Sequence, residues 1–198
     1  MWIPIICAGI WFGFILYWVT GSIPQNRIYE IYAGCGRGIC LTLLLFGLFE
    51  WYQPQEDTTV PQALRVPGNA LYMASMLLVL LSFVALGRRG KPEGFVDRTT
   101  VLIGSALFGV IRHPLYLGLA LWSIGLVLRI QLTIPAMLGM VALGCSWMAC
   151  KKEDEFNVEE FGEGYRDYMT VVPAWNVLKG LRRRLFRDRV NNDGAEQG

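Results

Sequence analysis

Residues 112–150 read RHPLYLGLALWSIGLVLRIQLTIPAMLGMVALGCSWMAC. Two apolar stretches, Leu115–Leu128 and Leu132–Cys150, are parted by little more than Arg129 and Gln131. So short a polar break between two runs of near-spanning length implies a tight transmembrane helical hairpin. Gly118, Ser123 and Gly125 on the first limb, and Gly139 and Gly144 on the second, are small enough to let backbones approach closely. Pro135 falls in the first turn of the second limb, where a missing N–H costs little. Arg129 reads as an interfacial snorkeller. The hairpin opens on Arg112, His113, Pro114 and Tyr116, and His113 is the sole histidine of the chain. Ionisable groups at a membrane edge are costly to desolvate, so such a cluster is a functional hypothesis by default.

Outward from the hairpin, the rest of the chain has the same character. Of 198 residues, 54% are hydrophobic and 17% charged, well below the roughly 25% charge of a soluble domain. Ile3–Val19, Gly38–Trp51 and Asn69–Leu86 are further apolar blocks, with Trp and Tyr near the ends of the first. The expected fold is all-α: an integral membrane helical bundle of about five transmembrane helices with a C-terminal cytosolic helical cap. Polar loops are expected over Gly21–Arg37 and over the acidic, proline-containing Tyr52–Pro67. Val101–Ile111 is too short to cross a bilayer and reads as a re-entrant or surface-lying piece lining a cavity. Lys/Arg bias puts the Arg88–Arg112 loop and everything after Lys151 in the cytosol and the N-terminus outside. With no basic leader region, the N-terminus does not read as a cleaved signal peptide.

After the hairpin, Lys151–Phe156 reads as a charged helix start. Val158, Phe161, Tyr165 and Tyr168 form an amphipathic stripe that Gly162 and Gly164 weaken and Pro173 ends. Tyr165 and Tyr168 read as packing residues. A last helix over Trp175–Arg189 mixes Leu178, Leu181, Leu185 and Phe186 with basic residues, a membrane-surface pattern. From Lys179 to Arg189 six Lys/Arg stand against one Asp, which suits anionic head groups or mere solvation. The organisation expected is an N-terminal membrane region (1–90), a core (91–175) and a basic tail (176–198). Cys7, Cys35, Cys40, Cys145 and Cys150 form no CxxC pair and read as small buried hydrophobes, not as zinc ligands. The bilayer is the expected partner; nucleic acid is not.

Two polar clusters flank the hairpin: Arg112, His113 and Tyr116 before it, Glu153, Asp154 and Glu155 after it. A hairpin returns the chain to the side it left, so the clusters can meet. Together they offer donors for a carboxylate and acceptors for an ammonium or a ribose, as a zwitterionic nucleoside would need. A juxtamembrane ion pair between Arg112 and Glu153, or a solvated Glu153 that complements a helix dipole, reads equally from these residues.

The ordered pattern Arg112-His113-Pro114-x-Tyr116-x-Gly118, the acidic pair Glu153-Asp154, Phe161-Gly162-x-x-Tyr165-x-x-Tyr168 and Val172-Pro173 resembles the isoprenylcysteine carboxyl methyltransferase and phospholipid methyltransferase superfamily. These are integral membrane enzymes that use S-adenosyl-L-methionine, and the resemblance covers roughly Thr100–Trp175. It implies a cofactor pocket lined by His113, Pro114, Leu115 and Tyr116, by the upstream stretch Thr100-Val101-Leu102-Ile103, and by Glu153. Arg112 and His113 are the implied catalytic residues, with His113 first of all a holder of the cofactor. The chain departs from the pattern at Ala106, at Phe108 in place of an aromatic hydroxyl, at Asp154, and at Ala149 where prenylcysteine enzymes carry an arginine for the substrate carboxylate. Tyr29 and Trp51-x-x-Pro54 are similar to bacterial members that methylate small thiols. The acceptor implied is therefore lipophilic or small and apolar: an isoprenylcysteine carboxylate, a small thiol or a lipid amine, entering between the hairpin and the third span. Two rivals stay open: a sterol-reductase-like membrane enzyme using a nicotinamide, and a non-catalytic membrane adaptor. A transporter is disfavoured, since no span centre carries an obvious charge.

Overall fold

A computed structural model describes residues 28–52, 62–89, 106–130 and 133–195, with Ile6, Gly9, Trp11 and Gly13 near the N-terminus. The described residues are helical throughout their regular structure and contain no strand. The elements are α1 (Ile28–Tyr52), α2 (Gln62–Arg89), a 3-10 turn (Ala106–Gly109), α3 (Pro114–Ile130), α4 (Thr133–Phe161), α5 (Glu163–Val171) and α6 (Val177–Ala195). Among the described residues three helices contain segments long and apolar enough to cross a membrane, Ile28–Leu45, Ala63–Arg88 and Ile134–Phe161, and Pro114–Arg129 is a shorter apolar helix. This is a multi-pass helical membrane protein. Most of the expected first span, Ile3–Val19, lies outside the described residues, as do 101–105 of the expected re-entrant piece.

Three boundaries differ from the sequence reading. Helix α1 begins at Ile28, inside the stretch expected to be a polar loop. The loop reading rested on the polar residues of that stretch, Arg27 and Arg37 among them, but arginine is a good helix former and does not stop a helix. Helix α2 begins at Gln62 and contains Pro67. So near the helix start, that ring removes only one hydrogen bond, to the carbonyl of Ala63. Helix α4 runs unbroken through Lys151–Phe156, 29 residues in all. Charged residues with good helix propensity carry an apolar span past the membrane edge as readily as they begin a new helix.

The chain forms two compact units: one of residues 1–78 and 116–156, the other of 79–115 and 157–198. In the first, helices meet through small residues. A Cβ on Gly125 would stand 2.8 Å from the Tyr72 nitrogen and 3.0 Å from the Gly68 carbonyl. That Gly68–Gly125 contact brings α2 against α3. Within the hairpin itself Gly139 faces Val127 and the Ser123 carbonyl, while Gly144 has nothing within 4 Å. Gly36 of α1 faces Ser146, Ala142 and Cys145 of α4. On α4, Ala142, Ser146, Ala149 and Cys150 are buried, whereas Met137, Met140, Val141 and Trp147 are exposed. Two opposed stripes at helical spacing, one small and one large and apolar, are what a lipid-facing helix needs. On α2 Met73 and Leu77 are likewise exposed.

Buried polar atoms in this unit find partners at home. Ser123 Oγ donates to the Leu119 carbonyl at 3.0 Å and lies 3.3 Å from Cys40 Sγ. Ser146 Oγ donates to the Ala142 carbonyl at 2.9 Å. Trp11 Nε1 donates to Thr42 Oγ1 at 3.2 Å. Cys40 and Cys150 are buried as small hydrophobes, while Cys35 and Cys145 are only partly so.

The second unit is tied by backbone carbonyls rather than by apolar seams. Helix α4 ends at Phe161 because Gly162 adopts φ +60, a left-handed conformation that costs a residue with a side chain about 1 kcal/mol. The last carbonyls of α5 are then each satisfied. Tyr168 O accepts from the Val172 amide at 2.8 Å. Met169 O accepts from Arg112 Nη1 at 2.9 Å. Thr170 O and Val171 O accept from Arg183 Nη1 at 2.7 and 2.6 Å. Two guanidiniums thus occupy the negative end of one short helix. The ring of Tyr165 is buried, stacked on Phe161 and tilted against Tyr168, the packing role its spacing predicted.

Candidate active site

The residues that open the hairpin are held as backbone before they act as side chains. The carbonyl of Leu107 accepts from the amides of both Val110 and Ile111 at 3.0 Å, closing the 3-10 turn. Tyr168 Oη donates to the Phe108 carbonyl at 2.6 Å. The amide of Arg112 then donates to Pro173 O at 3.0 Å, and that of His113 to Ala174 O at 3.3 Å. The Val172-Pro173-Ala174 stretch therefore runs alongside Arg112-His113 as a paired strap. Proline suits it, because it has no N–H to compete for those acceptors. Arg112 Nη1 reaches Met169 O and, at 2.7 Å, Val172 O. His113 is 5% exposed, and Pro114 is the first residue of α3, where its fixed φ starts the helix. Leu115 is buried beside it.

In the first unit the two limbs of the hairpin bring Tyr116 and Glu153 together: the Tyr116 hydroxyl hydrogen-bonds the Glu153 carboxylate. Arg37 and Tyr29, both on α1, lie within electrostatic range of the same phenol. Tyr29 also packs its ring on Phe156 at 5.3 Å between centroids. Glu153 is not a helix-start acid. It lies deep within α4 and continues the inward stripe Ala142, Ser146, Ala149 by one further turn. Its neighbours differ: Glu155 is exposed and pairs with Lys152 at 2.7 Å. Lys151 sits over the exposed Trp147 ring at 5.2 Å, the aromatic and basic pairing found at head-group level. Glu153 is within about one turn of that level.

Thr100, Val101, Leu102 and Ile103 lie outside the described residues. Ala149 is fully buried in helix packing. Arg37 is the neighbour of Tyr116 that sequence reasoning passed over. It was read as a loop charge, yet it is one helical turn from Ala33 and Cys40, both buried, and that spacing was the available signal. A hydrogen-bonded phenol and carboxylate with a guanidinium nearby can accept from hydroxyl or ammonium groups and neutralise an anion. No metal is needed for that.

Residues 64–164 match the model of the phospholipid methyltransferase family. The chain belongs to this family. The match takes in α2, α3 and α4, and with them His113, Tyr116 and Glu153. It leaves out α1 and all of α6. Among curated proteins, the chain is 26% identical over 86 residues to a protein-S-isoprenylcysteine O-methyltransferase of Dictyostelium discoideum, covering 41% of this chain and 34% of the relative. The chain thus spans about a third of the length of the curated relative it matches. No solved structure matches.

Proposed function

We propose that this protein is a membrane methyltransferase that uses S-adenosyl-L-methionine to methylate a lipophilic or small apolar acceptor. The observation that carries this reading is the Tyr116–Glu153 hydrogen bond across the hairpin, inside the family-matched segment. It supplies an acceptor of the kind a nucleoside's hydroxyls and ammonium need. In this reading His113, Pro114, Leu115, Tyr116 and Glu153 hold the cofactor with Thr100–Ile103, and the core of the enzyme is 91–175. Arg112 and His113 are assigned to catalysis, Arg112 through the carbonyls that fix its neighbour and His113 at the cofactor itself. When bound, the cofactor supplies an electrophilic methyl group, which passes to the acceptor as the S–CH3 bond breaks. The residues bind, orient and exclude water, and such positioning provides most of the acceleration in a transfer of this kind.

The full proposed topology has about five spans with the site facing the cytosol. The acceptor arrives from the bilayer. The seam between α2 and the hairpin is closed at Gly68–Gly125, about 13 Å along α3 from Tyr116, so entry belongs nearer the Tyr116 end. Isothermal titration of the intact protein in detergent tests the reading. S-adenosyl-L-methionine is expected to bind, and His113→Ala and Glu153→Ala each to weaken binding by about tenfold or more, the loss of one charge-assisted contact. An absence of binding by the unaltered protein overturns the enzyme and favours the adaptor. A labelled-methyl assay on host membranes, with products sorted by polarity, then separates lipid, small thiol and protein acceptors.

A further inference from the structure

Helix α6 shows its apolar residues on the wrong side for a cytosolic helix. Among its described side-chain positions Gly180 is the buried one, pressed so closely on the Val110 carbonyl that a Cβ there would overlap it. One turn on, Arg183 holds the Thr170 and Val171 carbonyls. One turn back, Asn176 Oδ1 accepts from the Lys179 amide at 2.9 Å and caps the helix. At about 100° per residue, Asn176, Gly180 and Arg183 share one face, and that face meets the protein. Val177, Leu178, Leu181 and Leu185 share another, and they are 38%, 80%, 45% and 63% exposed. Phe186, 56% exposed, carries Arg182 over its ring at 5.7 Å. Arg182 and Arg184 border the apolar stripe.

An apolar stripe edged by cations, opposite the docked face, is complementary to an anionic lipid surface. Proximity favours the same occupant. Only fifteen residues, 162–176, separate the end of α4 from the start of α6, and nine of them form α5. That link reaches about 40 Å at most. With the turns of α4 beyond Lys151 added, the stripe is tethered within about 55 Å of the bilayer the chain itself crosses.

We propose that α6 is an interfacial helix whose Val177, Leu178, Leu181 and Leu185 enter the anionic leaflet, and that this seating steadies the Arg112–His113 stretch. The link runs from Gly180 to Val110, and from Arg183 through the end of α5 to Arg112, whose amide and guanidinium hold the same segment. Anionic lipid is thus a positive regulator of the site. This second half rests on the function proposed above; the seating does not.

The test uses the intact protein in nanodiscs of phosphatidylcholine alone or with one part in three phosphatidylglycerol, each doped with an acyl-chain diazirine phospholipid. Photo-adducts on Leu178, Leu181 or Leu185, mapped by mass spectrometry, are expected in the anionic discs. Amide exchange over 177–186 is expected to slow about tenfold there relative to the neutral discs. Leu181→Glu with Leu185→Glu should abolish the adducts and the slowing, and should speed exchange at 110–113. No adducts, or equal exchange in both lipids, overturns the seating. Protection that grows with protein concentration instead of lipid charge assigns the stripe to a second copy and also overturns it. If the double variant does not fold, the lipid dependence of the unaltered chain still decides. Where the unaltered chain binds S-adenosyl-L-methionine, an affinity at least about threefold higher in anionic discs supports the regulation, and equal affinity with unchanged 110–113 exchange overturns that half alone. A chain that binds no cofactor but gains adducts refutes the enzyme and keeps the seating.

Discussion

The unit built on the hairpin and the unit built on the strap solve the same problem with different chemistry. In the first, helices close on one another through glycine, alanine and serine, and polar side chains settle their hydrogen bonds within their own turn. In the second, contacts converge on backbone carbonyls: Arg112 and Arg183 on the end of α5, the amides of 112 and 113 on 173 and 174, Tyr168 on Phe108. Within a bilayer, apolar surface does not drive helices together, so closeness of fit must. Short helices with open ends need donors instead, and arginine supplies several from one side chain. The site residues are divided accordingly. Tyr116 and Glu153 depend on helix packing, while His113 depends on the strap.

That contrast can be broken at its ends. The largest effect is expected from Gly125→Leu, which forces a side chain into Tyr72 and Gly68 and should destabilise the first unit by about 3 kcal/mol. Gly144→Leu, with open space around it, should leave the thermal melt in detergent nearly unchanged. Equal melts for the two variants would refute seam packing. A smaller effect, about 2 kcal/mol, is expected for Arg112→Leu, which strips two carbonyls of a charged donor. Limited proteolysis should then cut faster between Val171 and Val177, with the helices of the hairpin still protected. Arg112→Lys should recover only part, since the lysine ammonium sits on a shorter stem and stops short of where Nη1 meets both oxygens. The smallest change, about 1 kcal/mol, belongs to Tyr116→Phe. It removes one hydrogen bond to Glu153 and should lower stability by no more than that while weakening cofactor affinity several-fold. A melt lowered as far as by Arg112→Leu would mark Tyr116 as structural.

Much of this was legible residue by residue. The hairpin, Pro135 in its first turn, the break at Gly162 and the stripe of Phe161, Tyr165 and Tyr168 all rest on local rules of period and backbone freedom, which a sequence expresses directly. So did the meeting of the two polar clusters, realised in Tyr116 and Glu153. Arg37 was harder to see, because a lone charge flanked by glycines has the composition of a loop. The place of Glu153 was also misjudged: a run of charges after a span reads as a new helix, although nothing in Lys151–Phe156 stops the old one. Gly125 was matched to the wrong neighbour, since a small residue states that something comes close but not what.

Read alone, then, the amino acids determined that the chain crosses a membrane by helices, that one pair of them folds back sharply, and which polar residues stand at its open end. Those properties depend on hydropathy, length and short-range geometry. Only the tertiary structure decided that Arg112 spends its guanidinium on the end of α5, that Arg37 joins Tyr116, and that α6 rests on glycine with its leucines outward. Each of these pairs residues remote in the chain, and no periodicity encodes which distant carbonyl a given arginine will find.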